Sequence, residues 1–210
     1  MTEISTILWD VGGVLLTNGW DHGGRAEVLV RFDVNKAEFE ERHPEANDAW
    51  EKGLITVEEY LHRTVFWEPR SFSVEEFVQA MKSESRVLEG TALGILENIA
   101  TTQDVDLGML NNEARELNDY RIEEFGLQGY FDFFFSSCYV GLRKPSAQIY
   151  RLALDVLQCE PGEVVFIDDR AGNAEAAAAL GIHAIRYEGA AQLTRELAAL
   201  GIEADEKLSG

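Results

Sequence analysis

Four stretches of the 210-residue chain place chemically capable side chains after apolar runs, three of them directly. Asp10 ends Ile7-Leu8-Trp9 and is followed by Val11-Gly12-Gly13. Asp168 and Asp169 end Val164-Val165-Phe166-Ile167. Asn111 and Asn112 follow the mostly apolar run 105–110, and Lys144 lies in Gly141-Leu142-Arg143-Lys144-Pro145, after Phe133-Phe134-Phe135. Three carboxylates brought together repel one another unless a cation sits among them, and an all-oxygen set suits Mg²⁺. With a lysine and two amides alongside, the same set can hold a metal and an anion together.

Such convergence requires the four runs to be neighbouring strands that end on one rim. From residue 88 onward, apolar strands alternate with helical patterns: helix 89–100, strand 105–110, a helix carrying Leu117, Tyr120, Ile122 and Phe125, strand 133–135, a helix carrying Ile149 and Leu152, strand 164–167, an alanine-rich helix stopping at Gly181, strand 182–187 and helix 190–200. Residues 4–9 supply one more strand. The alternation predicts an α/β doubly wound parallel sheet of Rossmann-like type, in which ligands bind beyond the carboxyl ends of the strands. Pro145 suits the first turn of the helix after Lys144.

Residues 17–86 break the rhythm, with no convincing strand. Thr56-Val57-Glu58-Glu59 and Ser73-Val74-Glu75-Glu76 both fit the capping box, and amphipathic patterns follow each. About four helices are expected there, forming a small all-helical cap (17–86) on a core made of 1–16 and 87–210. Inserted after the first strand, they would lie over the rim where ligands bind, so a lid is the favoured reading over an elaboration touching no site. The polar end, 203–210, is expected to fray.

Taken in order, these motifs resemble the haloacid dehalogenase superfamily of hydrolases, in its branch with a helical cap after the first strand. Asp168-Asp169-Arg170-Ala171-Gly172-Asn173 before an alanine-rich helix is the most specific piece. The resemblance implies that Asp10 is a nucleophile attacking a small phosphate ester, giving an aspartyl-phosphate that water hydrolyses. It implies Mg²⁺ held by Asp10, the Gly12 carbonyl, Asp168 and Asp169, with Asn173 bracing the acidic pair. Lys144 would steady nucleophile and phosphoryl oxygens, with Asn111 standing where the family usually has Ser or Thr and Asn112 beside it. The departure is Gly12, where family phosphatases usually carry a second aspartate for proton transfer; its loss typically costs ~10²–10⁴ in rate. The chain would then be a slow or specialised phosphatase, would take its proton from water, substrate, His22 or His43, or would be a phosphate- or metabolite-binding regulatory protein on the same scaffold. Gly12→Asp would be expected to raise activity on esters with poor leaving groups. A 2-haloacid dehalogenase ranks lower, since those relatives work without a metal and the acidic pair would face Asp10 uncompensated.

Each motif also has a plainer reading. Asp10 can be a turn residue, Asp168-Asp169 a helix cap, and Lys144 a solvated lysine at a helix start. The GxGxxG of a dinucleotide site is absent. Among the remaining rings, Trp20 and His22, close after the first motif, have the better claim to a pocket. Trp50 and Trp67 are expected to pack, His43 and His62 stay open, and His183 is expected in the core. Cys138 has no activating partner in view.

Composition bounds the partners. Eighteen Lys+Arg against 38 Asp+Glu leave a formal charge of −20, which argues against nucleic acid and anionic membranes. Two cysteines without CxxC spacing, no 20-residue apolar run, and an N-terminus with no basic region whose short apolar run stops at Asp10 predict a cytoplasmic protein. The stretch 133–154 holds no acid and carries Arg143, Lys144 and Arg151, so a small phosphorylated metabolite is not excluded. Nothing in the sequence sets the oligomeric state.

Overall fold

The computed structural model describes residues 3–88 and 92–204. In chain order the elements are β1 (Thr6–Trp9), α1 (His22–Arg31), α2 (Lys36–Glu51), α3 (Val57–Thr64), α4 (Val74–Ser83), α5 (Ala92–Thr102), β2 (Asp106–Met109), α6 (Arg115–Glu124), β3 (Phe133–Phe134), α7 (Ser137–Val140), α8 (Ala147–Leu157), β4 (Val164–Asp168), α9 (Ala171–Ala178), β5 (His183–Arg186) and α10 (Ala190–Ala199). Glu89, where the apolar pattern starts a helix, and the end expected to fray beyond 204 lie outside the described residues.

The five strands are all parallel, in the order β3-β2-β1-β4-β5. Alternate side chains divide between two faces, as the period of two requires. Ile7, Trp9, Met109 and Ile167 pack under α5 and α10, with Ile95, Leu96, Leu193 and Leu197. Leu8, Val164 and Phe166 pack under α8 and α9, with Ile149, Tyr150 and Ala177. The sheet is therefore covered on both faces, the arrangement that its near-continuous apolar strands demand. The chain builds β1, β2 and β3 outward in one direction and then returns to lay β4 and β5 on the other side of β1. The order thus reverses at β1, and Asp10 stands at that switch point, where open α/β sheets bind ligands.

Helices α1–α4 have a core of their own. Trp20, Phe39, Trp50, Tyr60, Leu61, Phe77 and Met81 are buried together, and Ala114 and Leu117 of the α6 region join them. Both capping boxes form: Thr56 and Glu59, like Ser73 and Glu76, each bond the other's backbone N–H. Trp50 lies stacked on Tyr60 at 4.2 Å between ring centroids, as its packing expectation requires. Trp67 differs from expectation: it is 41% exposed, with the Arg42 guanidinium 4.4 Å from its ring, because it falls in the irregular turn after α3 rather than on a buried helix face. His183 also differs. It begins the edge strand β5, has a strand neighbour on one side only, and is exposed. Pro145 precedes α8 altogether, since Ser146 is the N-cap that accepts from Gln148 N–H. Among the described residues no helix is long and apolar enough to cross a membrane.

Candidate active site

The strand ends deliver their side chains to one rim. Asp10 follows β1; its Oδ1 accepts Val11 N–H at 2.8 Å and stands 2.9 Å from Lys144 Nζ. Lys144 Nζ also meets Asp168 Oδ2 at 2.6 Å and donates to the Leu110 carbonyl at 2.9 Å. All three ammonium hydrogens therefore have acceptors, and the lysine is buried between two acids. Asp168, fully buried at the end of β4, takes further bonds from Asn173 Nδ2 to both oxygens at 3.0 Å and from Arg170 N–H at 2.8 Å. Asn173 is held in turn by Tyr150, whose hydroxyl donates to its carbonyl at 2.9 Å. Burial pushes Asp10 up, Lys144 opposes and Asp168 adds, leaving it at about 7.

Asp169 completes the acidic trio. One ligand atom from each of Asp10, Asp168 and Asp169 lies within 4.8 Å of the others. Asp169 Oδ2 meets Asn18 Nδ2 at 3.4 Å, but its buried Oδ1 has no hydrogen-bond partner, and burial raises its carboxyl above the ordinary range. An orphaned buried oxygen beside two further carboxylates is the donor chemistry that a hard cation satisfies. Asp169 does not cap α9, which has no side-chain cap bond. Gly13 has φ 77°, and a Cβ there would overlap Asp169 Oδ2, so glycine alone lets the β1 loop pass so close to the acid.

Asn112 clamps the lysine's backbone. Its Nδ2 donates to the Lys144 carbonyl at 2.9 Å, and Lys144 N–H donates to its Oδ1 at 2.9 Å. Asn111 behaves differently: its amide nitrogen is given to Asn118 Oδ1 at 2.9 Å, and its side chain is not part of the cavity wall. The expected phosphate-facing pair is therefore split, with Asn112 at the cavity and Asn111 turned into α6.

A cavity of about 340 Å³ opens over this rim, walled by Asp10, Asn112, Lys144 and Asn173 on one side and by Trp20, His22, Arg25 and His43 on the other. Arg25, buried on α1, pairs with Glu40 at 3.0 Å and donates to His22 Nδ1 at 3.1 Å. Burial works to raise Glu40, but Arg25 carries it below its ordinary range. Trp20 Nε1 donates to the Tyr60 hydroxyl at 2.7 Å, which lies 2.9 Å from His43 Nδ1. Burial, helped by Arg25, pushes His43 down to about 4, so it is neutral at neutral pH. His62 is exposed and away from this wall. Arg143 is not a free cation: it bridges Asp48 at 2.7 Å and Glu51 at 2.6 Å on α2. Buried Cys138 has its thiol pushed up to about 12 and is chemically quiet.

Sequence reasoning missed Asn18, Glu113 and Arg121, which also line the cavity. Arg121 and Glu113 form a buried pair at 3.0 Å. The one sequence signal was Glu113 itself, an acid directly after Asn111-Asn112.

Residues 4–181 match the family model described as haloacid dehalogenase-like hydrolase. The chloroplast flavin mononucleotide hydrolase 1 of Arabidopsis thaliana is 32% identical over 161 residues, covering 77% of this chain and 64% of that protein. The bifunctional epoxide hydrolase 2 of Rattus norvegicus is 36% identical over 133 residues, covering 61% of this chain and 24% of its own. The chain thus spans less than two thirds of the length of these relatives. Among solved structures, the HAD family enzyme BT-2542 of Bacteroides thetaiotaomicron superposes with a TM-score of 0.78 at 22% identity, over 90% of this chain and 95% of that one. The same enzyme has been solved in complex with magnesium and inorganic phosphate, with a TM-score of 0.71, 22% identity and 89% and 95% coverage. The L-2-haloacid dehalogenase of Xanthobacter autotrophicus superposes at 0.60 with 20% identity, over 93% and 83% of the two chains.

Proposed function

The chain belongs to the haloacid dehalogenase-like hydrolases, and on that premise we propose that it is an Mg²⁺-dependent phosphatase acting on a small phosphate ester. Asp10 is the nucleophile: its carboxylate attacks phosphorus, and water then releases phosphate from the aspartyl-phosphate. Lys144, 2.9 Å from Asp10 Oδ1, orients the carboxylate and offers positive charge to the phosphoryl oxygens. Asn112 positions Lys144 through its backbone, and Asn173 and Lys144 hold Asp168 in place. Asp10, Asp168, Asp169 and the Gly12 carbonyl would hold Mg²⁺, which when bound neutralises charge around the transferring phosphoryl group. Residues 17–86 act as a cap over the core formed by 1–16 and 87–210, excluding water and choosing the ester.

The observation that carries this reading is the acidic trio with its orphaned Asp169 oxygen. Displacing halide from carbon has no use for a cation there, so the dehalogenase reading falls behind despite the Xanthobacter neighbour. Support comes from the Arabidopsis relative, named for hydrolysing a phosphate ester, and from the neighbour complexed with magnesium and phosphate. The cavity's paired charges favour a polar ester over a bulky aromatic one; among the described residues, Trp20, His22, His43 and Pro44 are its only ring-bearing lining residues. Turnover of p-nitrophenyl phosphate, flavin mononucleotide and a panel of sugar and polyol phosphates with Mg²⁺ tests the reading. Activity that disappears in Asp10→Asn and on chelation is expected. Absence of turnover across the panel, with phosphate-mimic binding retained, would make this a binding protein instead.

A further inference from the structure

The space beside Gly12 is already occupied. A Cβ on Gly12 would stand 2.9 Å from Asn18 Oδ1 and 3.8 Å from Arg121 Nη1. Arg121 reaches this point from α6 because residue 19 is glycine at φ 55°: a Cβ on Gly19 would overlap Arg121 Nη2. The guanidinium is pinned by the Thr17 carbonyl at 2.8 Å and by Ser85 Oγ at 3.0 Å. Its remaining edge, the one nearest Gly12, holds Glu113 Oε2 at 3.0 Å. Glu113 comes from the loop that follows β2, its Oε1 accepts Ala114 N–H at 3.1 Å, and its backbone N–H donates to Ser137 Oγ at 3.0 Å. It lines the same cavity as Asp10 and Lys144 with a side chain 9% exposed. A carboxyl group therefore enters the cavity beside position 12 from a different strand end.

We propose that Glu113 performs the proton transfers of this site, with Arg121 as its positioning residue, in place of an acid at position 12. The inference rests on the phosphatase reading. In the first step an Asp10 oxygen bonds to phosphorus and the P–O bond of the ester breaks. Its electron pair goes to the leaving oxygen, which takes the proton of the Glu113 carboxylic acid. In the second step a water oxygen bonds to phosphorus while the Glu113 carboxylate takes a water proton. The P–O bond to Asp10 then breaks, returning carboxylate and phosphate, and Glu113 is again the acid.

The groups facing Glu113 suit that cycle. Burial raises its carboxyl, Arg121 opposes, Glu51 of α2 adds and Arg170 beyond β4 lowers, to a net value of about 7, where both forms are populated at neutral pH. The cap histidines fit less well. His43 is held down to about 4 and has no acidic proton to give, and His22 Nδ1 is spent accepting from Arg25, since guanidinium only donates.

The test compares wild type, Asp10→Asn, Gly12→Asp, Glu113→Gln and Glu113→Asp on p-nitrophenyl phosphate and on glycerol 3-phosphate, with Mg²⁺ and across pH. Glu113→Gln should lower kcat on glycerol 3-phosphate by ~10²–10⁴ and remove the limb of its pH profile near 7. On p-nitrophenyl phosphate, whose leaving group needs no proton, it should give a burst of about one equivalent of nitrophenol, because only the second step stalls. Glu113→Asp, which keeps a carboxyl, should retain a pH limb, and near-ultraviolet circular dichroism reports whether each variant is folded. Gly12→Asp should bring no gain, since Arg121 Nη1 would capture the new carboxylate. An equal fall on both esters with the pH limb unchanged, or a Gly12→Asp gain alongside a silent Glu113→Gln, overturns the assignment while leaving the phosphatase standing. Wild type inactive on both esters and across the rest of the panel overturns the phosphatase reading and this proposal with it.

Discussion

The two walls of the cavity are built by different means. On the sheet side, Asp10 directly follows β1, Asp168 ends β4, and Lys144 is held by its main-chain atoms to Asn112 in the loop after β2; together they form one connected charge cluster. On the helical side the groups are placed by other side chains: Arg25 of α1 pairs with Glu40 of α2 and with His22 one turn back on its own helix, and His43 of α2 meets the Tyr60 hydroxyl of α3. The first wall is rigid because a buried parallel sheet is rigid. The second can be rearranged one pair at a time. On the proposed phosphatase reading, chemistry and selection would be separated: the sheet wall would hold what any phosphate ester needs, and the helical wall what distinguishes one ester from another.

Breaking the sheet wall should cost most. Lys144→Met leaves Asp10 and Asp168 facing each other in a buried site, and removing one partner of a buried charge cluster typically costs about 3–5 kcal/mol. Urea unfolding without Mg²⁺ should show that loss, added Mg²⁺ should recover part of it, and kcat should fall by about 10²–10³. Equal stability of mutant and wild type without metal would mean the cluster is not a unit. On the helical wall the expected effect is smaller and depends on pH. His43 has a folded pKa of about 4 against an ordinary 6.5, so between those values the unfolded chain binds more protons. Stability then falls as pH drops from about 6.5 to about 4, by up to about 3 kcal/mol for this group. Thermal melts of His43→Gln should slope less steeply than wild type over that window; parallel slopes would assign the acid sensitivity to other groups. Smallest of all is the tie between the walls. Arg143 is partly exposed in its pairs with Asp48 and Glu51, so Arg143→Ala should cost only about 0–1 kcal/mol. It should raise KM more than it lowers kcat; a fall in kcat of the size seen with Lys144→Met would erase the distinction between the two walls.

The same division explains what could be read from the sequence. Asp10, Asp168 and Lys144 were legible because a polar residue after an apolar run marks the end of a strand, and strand ends of one parallel sheet meet; Asn173, inside α9, was legible only through the family resemblance. The capping boxes at Thr56 and Ser73 were legible for the same reason, since both partners lie three residues apart. Arg121 was not, because its meaning depends on Thr17, 104 positions away, and on the missing side chain of Gly19. A buried arginine on an amphipathic helix carries the same local pattern as a solvated one. Arg143 misled in the opposite direction: in a stretch without acids it read as free positive charge, but α2 supplies its two carboxylates from 90 or so residues earlier. Asn111 and Asn112 form an adjacent pair whose two members point to different partners, which spacing alone cannot divide.

The reciprocal bonds between the Asn112 amide and the Lys144 backbone have the shape of a backbone pairing: one N–H given, one carbonyl received. A side chain here imitates a strand edge and ties the lysine's backbone to the loop that follows β2. The lysine's position is thus set by register rather than by the length of chain between β3 and α8. That loop can drift in length and sequence, including the turn of helix at Ser137–Val140, and still return its cation to the same place.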